Sequence, residues 1–282
     1  MAAIRATGVY RHMPELPEVE TVVRGLRPLL LGQRLTQVIA RRPDLRWPLP
    51  PDLGQRLTGA TFTGLARRAK YGLLETDRGD TLIFHLGMSG RFHQLAGEPG
   101  THDHVLFVLP SATLAYNDHR RFGSMHLTPT PEVQAHPLIA PIGPEPLSDA
   151  FSGQWLQARA AGRFTSIKAL LLDQHTVAGI GNIYACEALF EAGINPARMA
   201  GAIAPKRLDR LVGVIKATLE RAIEAGGSTL RDHAQVSGDL GYFQHSFRVY
   251  GREGEPCPSC GAPVRRRVQQ GRSTFHCPTC QR

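Results

Sequence analysis

The tail of this chain constrains its fold more than any other stretch. Four of its five cysteines fall in the last 26 residues, as CPSC at 257–260 and CPTC at 277–280, with sixteen residues between the pairs. Two knuckles of this spacing bring four thiolates to the corners of a tetrahedron, the closed ligand set of a structural zinc site. Cys257, Cys260, Cys277 and Cys280 are therefore expected to hold one structural Zn2+. A pair of disulfides is the alternative, disfavoured in a reducing compartment. Between the knuckles, APVRRRV and RSTFHC alternate as two strands, and QQGR supplies a turn in which Gly271 can take positive φ. The metal would clip together a hairpin too small to fold alone. From Cys257 onward there are five arginines and no acidic residue. Phosphate is thus the expected partner, with Arg272 at the tip as the leading probe. A ribbon that only caps its domain, or that binds protein, is the competing reading. His276 is not needed as a ligand, and Cys186, inside a helical pattern, is expected to be a buried apolar packer.

At 282 residues the chain has room for two cores. LPEVETVVRGLRPLLL at 16–31 places its apolar residues at helical spacing and stops at Gly32. From there to about residue 128 the texture is β-type: TFTGLARR, YGLLET, TLIFHLGMSG, HVLFVLP and ATLAYND, separated by Gly, Pro and Asp, which predict an antiparallel sandwich or barrel. A proline-rich stretch, HPLIAPIGPEPLSD, resists regular structure and looks like a linker. Four helical patterns follow, SGQWLQARAAG, TSIKALLLDQ, GNIYACEALFEAG and PKRLDRLVGVIKATLERAIEAGG, and then a Gly-rich polar segment at 226–250. The expected class is α+β: an antiparallel β-sandwich flanked by helices over residues 14–140, a linker at 141–150, a helical domain at 151–246 and the four-cysteine finger at 247–282. A net charge of +9 and a pI near 9.7 favour a polyanionic partner without proving one. No apolar run approaches the ~20 residues that span a bilayer, and the first residues lack the apolar core of a secretory signal. A bacterial-type cytoplasm, with attachment to the nucleoid through DNA, is the expected address.

Read from Met13, the ordered set MPELPEVE, RRAKYG at 67–72, HLGMSG at 85–90, DHRRFG at 118–123, VAGIGNIYACEALF at 177–190, GYFQHSFRVYGR at 241–252 and the terminal GRSTFHCPTCQ resembles the formamidopyrimidine-DNA glycosylases, bacterial repair enzymes for oxidised purines. The resemblance covers essentially everything from residue 13. It implies a glycosylase and apurinic-site lyase acting on 8-oxoguanine and formamidopyrimidines in duplex DNA, with a helix-two-turn-helix motif in the second domain; a monomer is the default expectation for a protein that must bend and search DNA. It also implies Pro14 as nucleophile, Glu15 as its neighbouring proton donor, and Lys70 and Lys168 as phosphate-holding lysines near the lesion. Glu18 and Glu20 lie at the same helix start; there a carboxylate suits the positive end of the dipole, an account sufficient for Glu20 and evenly matched with function for Glu18. Met88 and Phe122 would wedge into the gap left by the flipped base while Arg120 addresses the orphaned partner. His104 and Asn182 would be further DNA contacts, Asn182 at a helix start whose glycines, Gly179 and Gly181, permit close backbone approach. Taken alone, GIGN reads as a glycine turn capped by Asn182, Met88 and Phe122 read as core, and the lysines read as surface. Residues 228–246 resemble a lesion-recognition loop. His119 stands where the family usually has proline.

A proline amine suits this chemistry. An α-amino group near pKa 8 leaves roughly a tenth as free base at neutral pH, far more than a lysine. A secondary amine attacking the anomeric carbon gives a permanently cationic iminium, which acidifies the adjacent C–H and promotes loss of the flanking phosphates. The nitrogen must then be free, so residues 1–13 are expected to be an extension absent from the mature protein. Two other readings compete: an endonuclease VIII-like enzyme for oxidised pyrimidines, against which the leucine of PELPEV argues, and a non-catalytic lesion-binding zinc protein in which Pro14 stays acylated.

Overall fold

The computed structural model describes residues 13–228 and 241–282. Helix α1 (Leu16–Leu30) buries the stripe Val19, Val22, Val23, Leu26 and Leu30, and the chain leaves it through Gly32 at φ 73°. Strand β1 (Gln37–Ala40) and the short helix α2 (Leu53–Leu57) follow. Seven further strands complete two four-stranded antiparallel sheets: β2 (Phe62–Arg68), β3 (Tyr71–Thr76), β4 (Asp80–His85), β5 (Arg91–Gln94), β6 (Asp103–Val108), β7 (Thr113–Asn117) and β8 (Ser124–Pro129). One sheet runs β1-β6-β7-β5 and the other β2-β3-β4-β8. Their inner faces meet through Phe62, Phe84, Phe92, Phe107 and Tyr116, with Phe92 edge-on to Phe84 and to Tyr116 at 5.0 and 5.1 Å between ring centroids. The expected sandwich with α1 laid against it is what forms.

Helices α3 (Gly153–Ala160), α4 (Ile167–Leu172), α5 (Asn182–Glu191) and α6 (Pro205–Glu224) build a second core. Ser152 and Ser166 cap α3 and α4 by accepting from Trp155 N and Ala169 N, and Pro205 opens α6. The terminal hairpin, β9 (Arg265–Gln269) with β10 (Arg272–His276), turns through Gln270 and Gly271, both at positive φ. It is not free-standing. Val264, Phe275, Cys257 and Cys277 join the helical core, and the buried carboxylate of Glu187 on α5 accepts the backbone N–H groups of Arg248, Val249 and Tyr250 at 2.8–3.0 Å.

The proline-rich connection is irregular, as its composition predicts, but it is tightly laced. Arg68 donates to the carbonyls of Ile142 and Gly143, both at 2.7 Å, while Glu145 accepts from Arg67, Arg68 and Ala69 N at 2.6–2.9 Å. On its other side Ala178 N donates to Pro144 O. The β2–β3 turn is thereby pinned to the approach of α5.

Candidate active site

The N-terminus of α1 runs into the N-terminus of α5. Leu16 N donates to Gly179 O at 3.1 Å, and the Glu15 carboxylate accepts from Ile183 N at 2.9 Å and Tyr184 N at 3.4 Å. An acid from the far end of the chain thus satisfies the orphan donors of α5 and meets the positive end of its dipole. The cap position is Gly181, not Asn182 as the local pattern predicts, and a Cβ there would strike the Glu15 carboxyl group. Gly179, at φ 74°, faces Leu16 in the same way. The two glycines admit the chain's own first helix.

Glu15, Lys70, Met88, Phe122, Asn182 and Arg272 line one cavity of about 980 Å³ between the sandwich, the α5 turn and the hairpin. Pro14 is buried between Met13 and Glu15, both of which belong to the lining. Burial raises the Glu15 carboxyl to about pKa 7, against the pull of Lys70 and the two backbone donors and with a push from Glu18. Burial likewise lowers the Lys70 ammonium, with Arg272 adding to the effect and Glu15 opposing it. Lys70 sits on a turn whose preceding residue, Ala69, is held at φ 52° by the Glu145 contact.

Asp118, fully buried, joins the two turns expected to wedge. Its carboxylate accepts from Ser89 Oγ at 2.5 Å and from Gly123 N at 2.8 Å, so the Met88 turn and the Phe122 turn are one unit. Arg120 lies over the Phe122 ring, its guanidinium carbon 4.7 Å from the centroid. His104 is buried beneath, donating through Nε2 to Asp118 O at 2.9 Å, so it supports this loop and does not line the cavity. His119 is exposed on the turn that Arg121 N and Asp118 O close.

Lys168 departs from an open phosphate ligand. It is 1% exposed, and its ammonium donates to Thr274 Oγ1 at 2.7 Å and Ser273 O at 3.2 Å, tying α4 to β10. Asn182 Nδ2 also reaches Ser273 O, at 2.9 Å, while its buried Oδ1 has no partner among the described residues. Arg272 at the hairpin tip is exposed.

Glu18, evenly poised in the sequence between helix-start charge and function, accepts from Glu15 N (2.9 Å), Tyr184 Oη (2.5 Å), and the Ser228 N and Oγ (2.8 Å each). It bolts the start of α1 to Ser228, which pairs with Tyr242, so the two ends of the expected lesion-recognition loop meet beside it. Residues 229–240 of that loop, and residues 1–12, lie outside the described residues. Asp118 and Tyr184 escape notice in the sequence, although DHRRFG and VAGIGNIYACEALF contain them.

The four cysteine sulfurs lie within 4.8 Å of one another, with Cys257–Cys280 at 3.9 Å and Cys260–Cys277 at 3.5 Å. Tetrahedral zinc with Zn–S bonds of about 2.3 Å requires sulfurs about 3.8 Å apart. The set fits one structural zinc. His276 is engaged with Arg267 at 2.7 Å and takes no part, and Cys186 is buried in the helical core.

A sandwich whose first residues enter a cleft closed by a helix pair and a zinc hairpin defines a class of two-core, zinc-finger proteins with an N-terminal active site. Sequence families match in order: the formamidopyrimidine-DNA glycosylase N-terminal domain over residues 13–125, its H2TH domain over 142–234, and a zinc finger found in FPG and IleRS over 254–282. A formamidopyrimidine-DNA glycosylase of Rhizorhabdus wittichii is 60% identical over 271 residues, covering 96% of this chain and all of that protein. One from Dinoroseobacter shibae is 55% identical over 96% of this chain and all of its own. The crystal structure of MutM (Fpg) from Thermus thermophilus superposes with a TM-score of 0.86 at 44% identity, over 95% of this chain and 98% of that one. Lactococcus lactis Fpg in complex with DNA containing an abasic site gives 0.89 at 35% identity, over 95% and 99%. The chain belongs to the formamidopyrimidine-DNA glycosylase family.

Asp118→Ala is expected to strand Ser89 and Gly123 N and to lower the unfolding free energy by about 1–3 kcal/mol in a denaturant titration. A carboxyl raised in the folded state stabilises when protonated and loses that contribution as pH rises through about 7. Glu15→Gln therefore gains in Tm relative to the parent as pH goes from 5 to 8.5. Elemental analysis is expected to find one zinc per chain, and chelation under reducing conditions is expected to lower the Tm together with the zinc content.

Proposed function

We propose that this protein excises oxidised purines, 8-oxoguanine and formamidopyrimidines, from duplex DNA and cleaves the strand at the resulting abasic site. The observation that carries the reading is Pro14 set between two residues that line the cavity, Met13 and Glu15, with the Glu15 carboxyl raised to a pKa of about 7 that keeps it partly protonated at neutral pH. With residues 1–13 removed, the Pro14 nitrogen takes the place Met13 now fills and attacks the anomeric carbon of a flipped nucleotide. Glu15 supplies a proton to the opening sugar oxygen, the base departs, and the iminium on Pro14 undergoes β- then δ-elimination. Lys70 and Arg272 bring positive charge to the phosphates around that sugar. Asn182 Oδ1, unpaired and buried at the lining, is an acceptor available to substrate or water. Met88 and Phe122 fill the vacated stack, with Arg120 directed at the opposite base.

The division of labour follows the chain: residues 14–140 carry the chemistry, 141–150 hold the parts in register, and 151–246 and 247–282 grip the duplex. The segment 228–246, whose Ser228 is bonded to Glu18, is assigned to recognition of the lesion. The zinc keeps β10 in place beneath Lys168 and Asn182 and enters no chemical step. Among the described residues no helix is long and apolar enough to cross a membrane. A monomer in the cytoplasm of a bacterium, held to the nucleoid by DNA, completes the reading.

A chain starting at Pro14 is expected to nick an 8-oxoguanine duplex, with a bell-shaped pH dependence between the Glu15 and amine pKa values. The same chain retaining Met13 is expected to lose the nicking. Equal nicking by both chains contradicts the assignment, and preference for oxidised pyrimidines would place the protein with the endonuclease VIII group.

A further inference from the structure

His119, which stands where DPRRFG is the usual pattern, has no part in the chemistry proposed above. The turn that carries it is fixed: Arg121 N donates to Asp118 O and Arg120 N to Ser89 Oγ, both at 3.2 Å. A second turn is tied to this one, because Asp118 N donates to His102 O at 3.0 Å. Residues 100–103 are themselves held by Arg41, which donates to the carbonyls of Gly100 and Asp103, and by the Asp103 carboxylate, which accepts from Gly100 N. The two backbones therefore place the His102 and His119 rings side by side, 6.2 Å between centroids and 63° between planes. Both residues are exposed, and neither ring has a hydrogen-bond partner among the described residues.

Two neutral imidazoles offer nitrogen lone pairs, and that donor set selects its ligand. Metal–nitrogen bonds of about 2.1 Å put the centroids of two rings that share one ion roughly 5 to 6 Å apart, depending on the angle at the metal. The observed separation lies at the upper edge of that range, and exposed rings close the remainder by side-chain rotation. His104 is 6.2 Å from His102, but its Nε2 is spent on Asp118 O, so water completes the coordination. The acids of the two turns are buried and engaged: Asp103 with His93, Asn117 and Gly100 N, and Asp118 with Ser89 and Gly123 N. Hard cations such as Mg2+ and Ca2+ need such oxygens, whereas imidazole suits Ni2+, Cu2+ and Zn2+. Arg120 and Arg121, next in the chain, repel any cation held by charge alone and leave only ions that bond to nitrogen.

We propose that His102 and His119 form a second metal site, separate from the four cysteines, which takes one divalent transition ion and clips the 100–103 turn to the turn of Arg120 and Phe122. The site stands independently of the DNA-repair reading. It makes the rigidity of the turn that carries Arg120 and Phe122 depend on a metal, through a histidine that replaces the usual proline.

The test titrates Ni2+ alone into the untagged, zinc-loaded protein by calorimetry, with elemental analysis of the zinc before and after. One equivalent of Ni2+ is expected to bind with the zinc retained, and Mg2+ is expected not to bind. His102→Gln and His119→Gln are each expected to weaken Ni2+ binding by at least about tenfold, since the loss of even an outer-shell partner of a metal costs that much. Both side chains are exposed, so the two variants keep the parent's Tm in the absence of Ni2+. Binding to the parent weakens on acidification, because an imidazole must be neutral to ligate. Hydrogen exchange supplies the second readout: Ni2+ slows exchange of the amides of residues 119–123 in the parent and leaves them unchanged in His119→Gln. If Ni2+ does not bind, displaces the zinc, or binds the parent and both variants alike, the site is overturned. Binding that depends on both histidines but leaves the exchange of residues 119–123 unchanged overturns the clip.

Discussion

Everything in the cavity depends on one electrostatic contact, the Glu15 carboxylate held against the open N-terminus of α5. That contact joins residues 168 apart in sequence, brings the first residue of the catalytic helix under the wall of the cavity, and requires glycine at 179 and 181 to let it in. A helix N-terminus favours the ionised acid, while complete burial favours the neutral one, and burial wins by enough to leave the carboxyl near neutrality. A group poised there can give up a proton in one step and accept one in the next, which both halves of a glycosylase and lyase cycle require.

Around this contact the rest of the molecule acts as bracing. Glu18 locks the backbone of Glu15 and, through Ser228, the hinge of the loop that would cover the base. Glu145 fixes the turn of Lys70, and Asp118 fuses the turns that carry Met88 and Phe122. Lys168 and Asn182 rest on β10, so the zinc's hold on the hairpin is transmitted to the cavity floor through two hydrogen-bonded side chains. The braces are buried or half-buried ionised and polar groups whose bracing contacts are hydrogen-bonded, the arrangement in which such groups rigidify and do not merely cost desolvation.

Much of this was legible in the sequence. The stripe of α1, the alternating strands, the hairpin turn at Gly271 and the four-cysteine ligand set follow from short-range periodicity and spacing, and the structure has them all. What the sequence hid are long-range partnerships. Nothing local marks Glu15 as the cap of a helix that begins at residue 182, or makes a proline-rich linker the anchor of Arg67 and Arg68. Lys168 looks like a solvated lysine because its partners lie 105 and 106 residues away, and nothing local to His104 announces its bond to the Asp118 carbonyl. Asp118 stood in a motif whose arginines and phenylalanine drew the attention, although the acid is what shapes the turn.

The nitrogen of residue 14 decides the mechanism. Borohydride reduction during reaction with an abasic duplex, followed by proteolysis and mass mapping of the cross-linked peptide, reports which atom held the sugar. An adduct on the Pro14 nitrogen, at the very start of the polypeptide, is the predicted result. An adduct on a lysine such as Lys70, or strand cleavage with no trapped adduct at all, would contradict the mechanism.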